Sequence, residues 1–373
     1  MVSFVKYPDF RLRARVGARK KAVLHAAAAS MGAWITLTLT GCTGMRGCAG
    51  SEKPCTLARS KVSLNQPLNM QKLVVILGTN ASGKSELGIR LAHHFDGEVV
   101  SADSRQVYRG LDLGSGKITL AQSGTVKHHL IDVADVSEYF SLAQYQRAAY
   151  GAIDSIGGAG KLPLLVGGTG LYISAIVEGY ELVDVRPNEA LRAELEPLPL
   201  AQLVGRLEKL DPEAAGRIDQ GNRRRLIRAI EIASAGCANA SARISSPRYT
   251  CLQLGLTWPR EILEKRIEKR LRERLVHGMV EEVAGLRSRG VSDLQLDKLG
   301  LEYRYITRYL RGELGTLDNL CLQLGVAIRQ FAKGQLTWFK RDSRIIWLDP
   351  FKDYFQEACE RIREWEETLP PTP

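Results

Sequence analysis

Residues 73–85 read Leu-Val-Val-Ile-Leu-Gly-Thr-Asn-Ala-Ser-Gly-Lys-Ser. Five apolar residues followed by G-x-x-x-x-G-K-[ST] form the phosphate-binding loop that joins a buried strand to a helix. The helix is present in the pattern too, because Leu87, Ile89 and Leu91 follow as the apolar residues of an amphipathic stretch. Small residues from Gly78 through Thr79, Asn80, Ala81, Ser82 and Gly83 let the backbone wrap a diphosphate with its N–H groups. Lys84 adds a point charge, and the Ser85 hydroxyl can hold Mg²⁺. The helix beginning here turns its positive end toward the same anion. The loop calls for a phosphorylated ligand without saying which.

Similar short apolar runs recur outward from this strand, at 98–101, 129–133, 162–166, 251–256 and 344–348, with helical segments between them. Strands alternating with helices predict an α/β fold, a parallel sheet covered on both faces. Ligands bind such sheets at the carboxyl ends of their strands. Three polar or glycine-rich segments fall there: the phosphate loop, Ala102–Arg109, and Gly167-Gly168-Thr169-Gly170-Leu171-Tyr172. A lone aspartate after a strand is commonly a helix cap. The company of the other two segments makes Asp103 a candidate base instead.

Between residues 184 and 246 the strand–helix rhythm gives way to Leu-, Ala-, Glu- and Arg-rich text, read as a helical insertion. The run Arg223-Arg224-Arg225-Leu226-Ile227-Arg228 lies on one of its helices, and charge alone reads it as a solvated basic face. Residues 260–286 predict one long amphipathic helix with Leu263, Ile267, Leu271, Leu275 and Met279 on its apolar side and mostly solubilising charges elsewhere. The segment 329–341 interleaves Arg and Lys with Phe331, Trp338 and Phe339, which suits either RNA stacking or a helix docked by its aromatics. Five units result: an N-terminal extension (1–69), a first part of the core (70–183), the insertion (184–246), a second part of the core (247–350) and a tail (351–373).

The net charge of +11 invites a nucleic-acid reading, but eleven of the basic residues and only two acids lie in residues 1–69, leaving the rest at +2. Any such claim must rest on local arrangement. With 45% hydrophobic and 25% charged residues, the chain reads as an ordinary globular protein, without a membrane role. Its seven cysteines show no metal spacing and read as free thiols of a reducing compartment, hence a cytoplasmic protein. The extension admits three readings: a lipoprotein leader ending Leu39-Thr40-Gly41-Cys42, an organelle transit peptide, or a natural start at Met70.

The blocks GTNASGKS, VVSADSRQVYRGLDLGSGK, HHLIDVADVSEYFSLAQY, PLLVGGTGLY, NRRRLIRAIEI and RQFAKGQLTWFKR occur in the order seen in tRNA dimethylallyltransferases. The resemblance covers about residues 70–345. It implies a P-loop NTPase-like sheet with an inserted helical domain, a nucleotide-binding (ATP-type) loop and a Mg²⁺ cofactor. It also implies transfer of a dimethylallyl group from dimethylallyl diphosphate to N6 of the adenosine 3′ to the anticodon, with the tRNA anticodon stem-loop as partner and a monomeric enzyme. Carried over by position, Asp103 is the proton acceptor, Thr169 orients the amine and Lys84 holds the leaving diphosphate. Contacts to tRNA fall on Asp103, Ser104, Arg105, Gln106, Thr169, Arg192, Arg224, Arg225, Leu226, Ile227 and Arg228, which overturns the solvated-face reading.

The sequence departs from the family in places. Thr79-Asn80 replaces Pro-Thr, Ser85 replaces Thr, Arg105 stands where Met is common, and Gly334 replaces an Arg. Two other enzymes share parts of this pattern: a small-molecule kinase, which has no need of GGTGLY or the insertion, and a prenyltransferase acting on free adenine nucleotides. A non-catalytic RNA-binding partner would have no need of Asp103.

Overall fold

The computed structural model describes residues 70–237, 243–244 and 247–369. The N-terminal extension and its three readings lie outside them. The chain begins with β1 (Lys72–Gly78), α1 (Lys84–His94), β2 (Gly97–Ala102), α2 (Leu120–Ser123), β3 (His128–His129), α3 (Leu142–Gly158), β4 (Leu162–Gly167) and α4 (Gly170–Val177). The insertion follows as β5 (Tyr180–Glu181), α5 (Glu189–Leu195), α6 (Leu200–Leu210), α7 (Pro212–Arg217), α8 (Arg223–Ser234) and β6 (Arg243–Ile244). The core resumes with β7 (Thr250–Leu256), α9 (Arg260–Val276), α10 (Met279–Ser288), α11 (Asp293–Leu299), α12 (Leu301–Leu310), α13 (Leu317–Phe339), β8 (Ile346–Trp347) and α14 (Tyr354–Glu367).

Six strands form one parallel sheet in the order β3-β2-β4-β1-β7-β8. Alternation along β1 explains its unbroken apolar run. Leu73, Val75 and Leu77 join the core beneath α3 and α4, while Val74 and Ile76 join the core beneath α1 and α14. Both faces are buried, so no polar residue is tolerated until the strand ends.

Several expectations need correction. The predicted strand at 129–133 pairs with β2 only through His128 and His129. Leu130 and Asp132 then turn the chain with φ of 62° and 57°, so that Asp132 and Val133 can donate to the carbonyls of Gln106 and Val107. The single helix predicted over 260–286 breaks into α9 and α10 at Gly278, whose φ of +98° no helix accommodates. The stretch taken as a tail, 351–373, includes α14, whose Ala358, Cys359 and Ile362 are fully buried against the sheet.

The insertion has its own small core, in which Leu203, Leu207, Leu226 and Ile230 are fully buried. It leaves the body after a two-stranded antiparallel ribbon in which Tyr180 pairs with Ile244 and Glu181 with Arg243. A third helical layer, α9 to α13, packs around Leu271, Met279, Tyr303 and Leu324 over the strand ends. Among the described residues no helix is long and apolar enough to cross a membrane.

Gly334 sits inside α13 with nothing within 4 Å of where a Cβ would stand. Gly334→Ala therefore gains helix propensity without a clash. It should raise stability by about 0.5–1 kcal/mol and the thermal midpoint by about 1–2 °C, read by scanning calorimetry.

Candidate active site

The phosphate loop is fixed from the β7 side. β1 and β7 approach so closely that a Cβ on Gly78 would fall 2.0 Å from the Leu256 carbonyl oxygen, which only glycine avoids. Beyond it Thr79 Oγ1 and Thr257 Oγ1 are hydrogen-bonded at 3.1 Å. Arg266 Nε donates to the Ala81 carbonyl at 2.8 Å, Trp258 Nε1 to the Ser82 carbonyl at 2.9 Å and Lys84 Nζ to the Thr79 carbonyl at 3.1 Å. The Asn80 and Ser82 N–H groups are taken by the Gln335 side chain and the Thr79 carbonyl, so the donors left for another partner are those at the head of α1. No side chain caps α1, and the buried Ser82 hydroxyl has no hydrogen-bond partner among the described residues. Uncapped donors at a helix head are what an anion site requires.

Across the strand ends stand the residues after β2 and β4. Asp103 Oδ1 accepts from the Arg105 N–H at 2.8 Å, which fixes the carboxylate, while the residue faces the cleft. The Ser104 N–H donates to Thr169 Oγ1 at 3.1 Å, and the Thr169 N–H donates to the Ala102 carbonyl at 3.1 Å. These bonds lock the two segments to each other. Gln106 Oε1 accepts from Ser101 Oγ at 3.0 Å. The rest of the 103–117 loop is held by two charged side chains, Lys117 and Glu282. Lys117 Nζ donates to Asp112 and Asp132, each at 2.6 Å, and to the Tyr108 carbonyl at 3.0 Å. Glu282, from α10, accepts the N–H groups of Asp112, Leu113 and Gly114 at 3.0, 2.6 and 3.0 Å and the Tyr303 hydroxyl at 2.9 Å.

Between these walls lies a cleft of about 650 Å³. Its charges are cationic toward the phosphate loop. Lys84 is joined by Arg270 and Arg274 of α9, whose guanidinium groups lie against the backbone of Gly116. Loss of water pushes the Lys84 ammonium down to about 8, and the repulsion of Arg270 adds to it, while Asp103 and Arg274 act in opposite senses. Arg270 is exposed to the open cleft, and the protein packed beside it together with the repulsion of Arg274 brings it below its usual range. Glu302, at the start of α12, lies 3.9 Å from Arg274, and burial pushes its carboxyl up despite that partner. An anion entering here would relieve the mutual repulsion of three cations.

The sequence reading missed Arg270, Arg274 and Glu302. Charge at helical spacing looks like a wet face, and only the packing of α9 over the strand ends turns two of its arginines inward. The 329–341 segment divides. Phe331, 49% exposed, and Trp338 line the cleft, whereas Phe339 is buried in the core.

The basic residues of the insertion divide as well. Arg192 grips Glu231 through Nε and Nη2 at 2.8 and 2.9 Å, and Arg228 reaches Glu231 at 3.1 Å and the Val185 carbonyl at 2.6 Å. Burial pushes the Glu231 carboxyl up, but Arg192, the Asn188 N–H and Arg228 outweigh it and hold it below the usual range. Arg223 donates to the carbonyls of Glu196 and Leu198 at 2.7 and 2.5 Å. Leu226 and Ile227 are buried in the insertion's core, so their side chains pack rather than face a partner. Arg224 and Arg225 are exposed, and Arg224 lines the cleft.

Residues 106–342 match the family model described as IPP transferase. The chain is 45% identical over 296 residues to a tRNA dimethylallyltransferase 2 of Shewanella sediminis, covering 78% of this chain and 98% of that one. It is 46% identical over 288 residues to a tRNA dimethylallyltransferase 2 of Syntrophotalea carbinolica, covering 76% and 96%. The solved structure of a tRNA isopentenylpyrophosphate transferase from Bacillus halodurans matches with a TM-score of 0.60 at 37% identity, covering 80% of this chain and 98% of that one.

Glu231 has a side chain only 1% exposed, so its removal leaves two arginines facing each other. Glu231→Ala should cost about 2–3 kcal/mol, below the ~3–5 of a fully enclosed pair, because Arg192 remains 37% exposed. Arg225→Ala should leave stability unchanged. Urea denaturation of both variants checks the contrast.

Proposed function

The chain belongs to the IPP transferase family, whose similar members are tRNA dimethylallyltransferases, and from that membership we propose how its cleft divides the work. The enzyme transfers a dimethylallyl group from its diphosphate to the N6 amine of the adenosine 3′ to the anticodon in tRNA. The allylic C–O bond breaks as the N–C bond forms, diphosphate departs, and the amine proton must go to a base.

The donor's diphosphate lies on the phosphate loop, held by the free N–H groups at the head of α1 and by Lys84, with Arg270 and Arg274 closing over it. Positive charge that is already in place when negative charge develops on the leaving oxygen lowers the barrier more than charge that must be gathered. Ser85 would hold Mg²⁺ beside the diphosphate. It lines the cleft at the uncapped end of α1, and its hydroxyl suits an ion that takes its remaining ligands from phosphate and water. When bound, that ion supplies further neutralisation of the diphosphate.

The acceptor adenine enters from the opposite side, out of its anticodon stack, and needs apolar or aromatic surfaces to replace that stacking. Leu171, Phe331 and Trp338 line the cleft there. Asp103 takes the proton from the amine, and Thr169, its hydroxyl fixed by the Ser104 N–H, orients the amine. Ser104, Arg105 and Gln106 form the rim on that side. In the insertion Arg224 and Arg225 meet the tRNA backbone, while Arg192 and Arg228 hold the helix that presents them.

One observation carries this reading. A single cleft has an uncapped, lysine- and arginine-lined anion site on one wall and a fixed carboxylate, Asp103, on the other. The direct test is mass analysis of anticodon-loop nucleosides after incubating tRNA with dimethylallyl diphosphate. A phosphorylated small molecule formed from ATP without RNA would point to a kinase instead.

Asp103→Asn keeps the bond from the Arg105 N–H but removes the charge that draws the proton. Single-turnover transfer should slow by about 10²–10⁴-fold with both substrates still bound. Transfer within a few-fold of the parent would make Asp103 a positioner only, leaving the proton to solvent or to the departing diphosphate.

Replacing Arg224 and Arg225 with Ala should weaken tRNA binding and reduce the slope of log K against log salt by about one unit for each phosphate that is no longer neutralised. An unchanged slope in filter binding would return both residues to the role of a solvated face.

A further inference from the structure

Most of the segment 329–341 belongs to α13, which ends at Phe339, and one of its residues touches both walls of the cleft. Gln335 is 8% exposed. Its Oε1 accepts from the Asn80 N–H at 2.9 Å, and its Nε2 donates to the Gly168 carbonyl at 2.9 Å. Asn80 belongs to the phosphate loop. Gly168 immediately precedes Thr169, whose hydroxyl is bonded to Ser104 beside Asp103. We propose that Gln335 is a positioning residue of the transfer reaction, a clasp through which occupation of the phosphate loop sets the Gly168–Thr169 segment that receives the acceptor amine. The proposal rests on the assignment of diphosphate and amine to these two walls.

The chemistry of the side chain supports the role. A carboxamide offers an acceptor and a donor a fixed distance apart, so one group can take an N–H and give to a carbonyl at once. Leucine or methionine would leave two buried backbone groups unpaired, and glutamate would set an oxygen against the Gly168 carbonyl. The space is also closed. A Cβ on Gly168 would lie 2.6 Å from Gln335 Nε2, 3.4 Å from the Gly78 carbonyl oxygen and 3.4 Å from Lys84 Cε. Gln335 thus adds a direct side-chain link between the phosphate loop and the acceptor segment to the backbone pairing of β1 with β4. Within the same helix, the Trp338 ring would stand 2.5 Å from a Cβ on Gly170, so α13 fixes this segment at two points.

The test uses the full chain, Gln335→Met and Gly168→Ala, each first shown to be folded by circular dichroism. The second variant keeps the glutamine but pushes its amide from the carbonyl. Single-turnover transfer to tRNA should fall about 10–100-fold in both, the scale expected of a reacting group displaced by a fraction of an ångström to 1 Å. Dissociation constants for donor and tRNA should stay within about 3-fold, because the groups that bind them are intact. Hydrogen exchange with inorganic pyrophosphate supplies a readout independent of transfer. In the parent, pyrophosphate should slow exchange at residues 79–85 and at 167–170, and in Gln335→Met at 79–85 only. Equal protection of both segments in the variant, or a transfer rate within 3-fold of the parent, overturns the clasp. A parent that shows coupled protection but makes no dimethylallyl-adenosine keeps the clasp and refutes the reaction assigned to the cleft.

Discussion

The parallel pairing of β1 between β4 and β7 is the constraint on which the cleft depends. Val74 stands opposite Leu164 on one side and Leu252 on the other, and the register continues to the carboxyl ends. That register sets the ends of β1 and β4 side by side, and with them the loop that begins at Gly78 and the segment that begins at Gly168. Any slip by one residue would exchange the two faces of β1 and put Leu73, Val75 and Leu77 in the wrong core. The apolar period that fills the cores is therefore also what aligns the polar residues above them.

The helical layer above the sheet supplies charges that the strands cannot. α9 delivers Arg266 to the phosphate loop's carbonyl and, one and two turns further on, Arg270 and Arg274 to the cleft. Burial and the neighbouring arginines lower Lys84 and Arg270 while Asp103 pulls the other way, and burial lowers Arg274 although Glu302 and Asp103 raise it. Glu282 and Lys117 perform a different task. Both are fully hydrogen-bonded ions that fix the 103–117 loop, and neither is poised for a ligand.

Local signals explain what was legible in the sequence. The phosphate loop, Asp103 and Thr169 announced themselves because each follows an apolar strand within a few residues. Arg270, Arg274, Glu302 and Gln335 lie far along the chain from the phosphate loop, on helices whose charges resemble an ordinary wet face. Nothing in their spacing points inward; only the docking of α9, α12 and α13 over the strand ends does. The break at Gly278 was illegible for a related reason, since the apolar stripe continues across it and the left-handed glycine leaves no mark on the period. At β3 the apolar run was longer than the strand, because backbone bonds to Gln106 and Val107 take the chain away after two residues.

The arginines of the insertion show why charge counts mislead. Of the four in the run from Arg223 to Arg228, Arg223 and Arg228 donate to carbonyls of the preceding segments, and Arg228 also joins Arg192 on Glu231. A guanidinium spent on backbone carbonyls and a buried carboxylate has few donors left for phosphate, yet it sets the pitch and position of α8. Asn222 caps that helix by accepting from the Arg225 N–H at 3.3 Å, which adds to the definition of its start. Arg224 and Arg225 are thus presented on a helix whose neighbours on the same run are anchored. Two exposed arginines on a fixed helix lose less freedom on meeting an RNA backbone than four on a mobile one, so under the proposed function the anchored pair would aid binding by holding still the exposed pair.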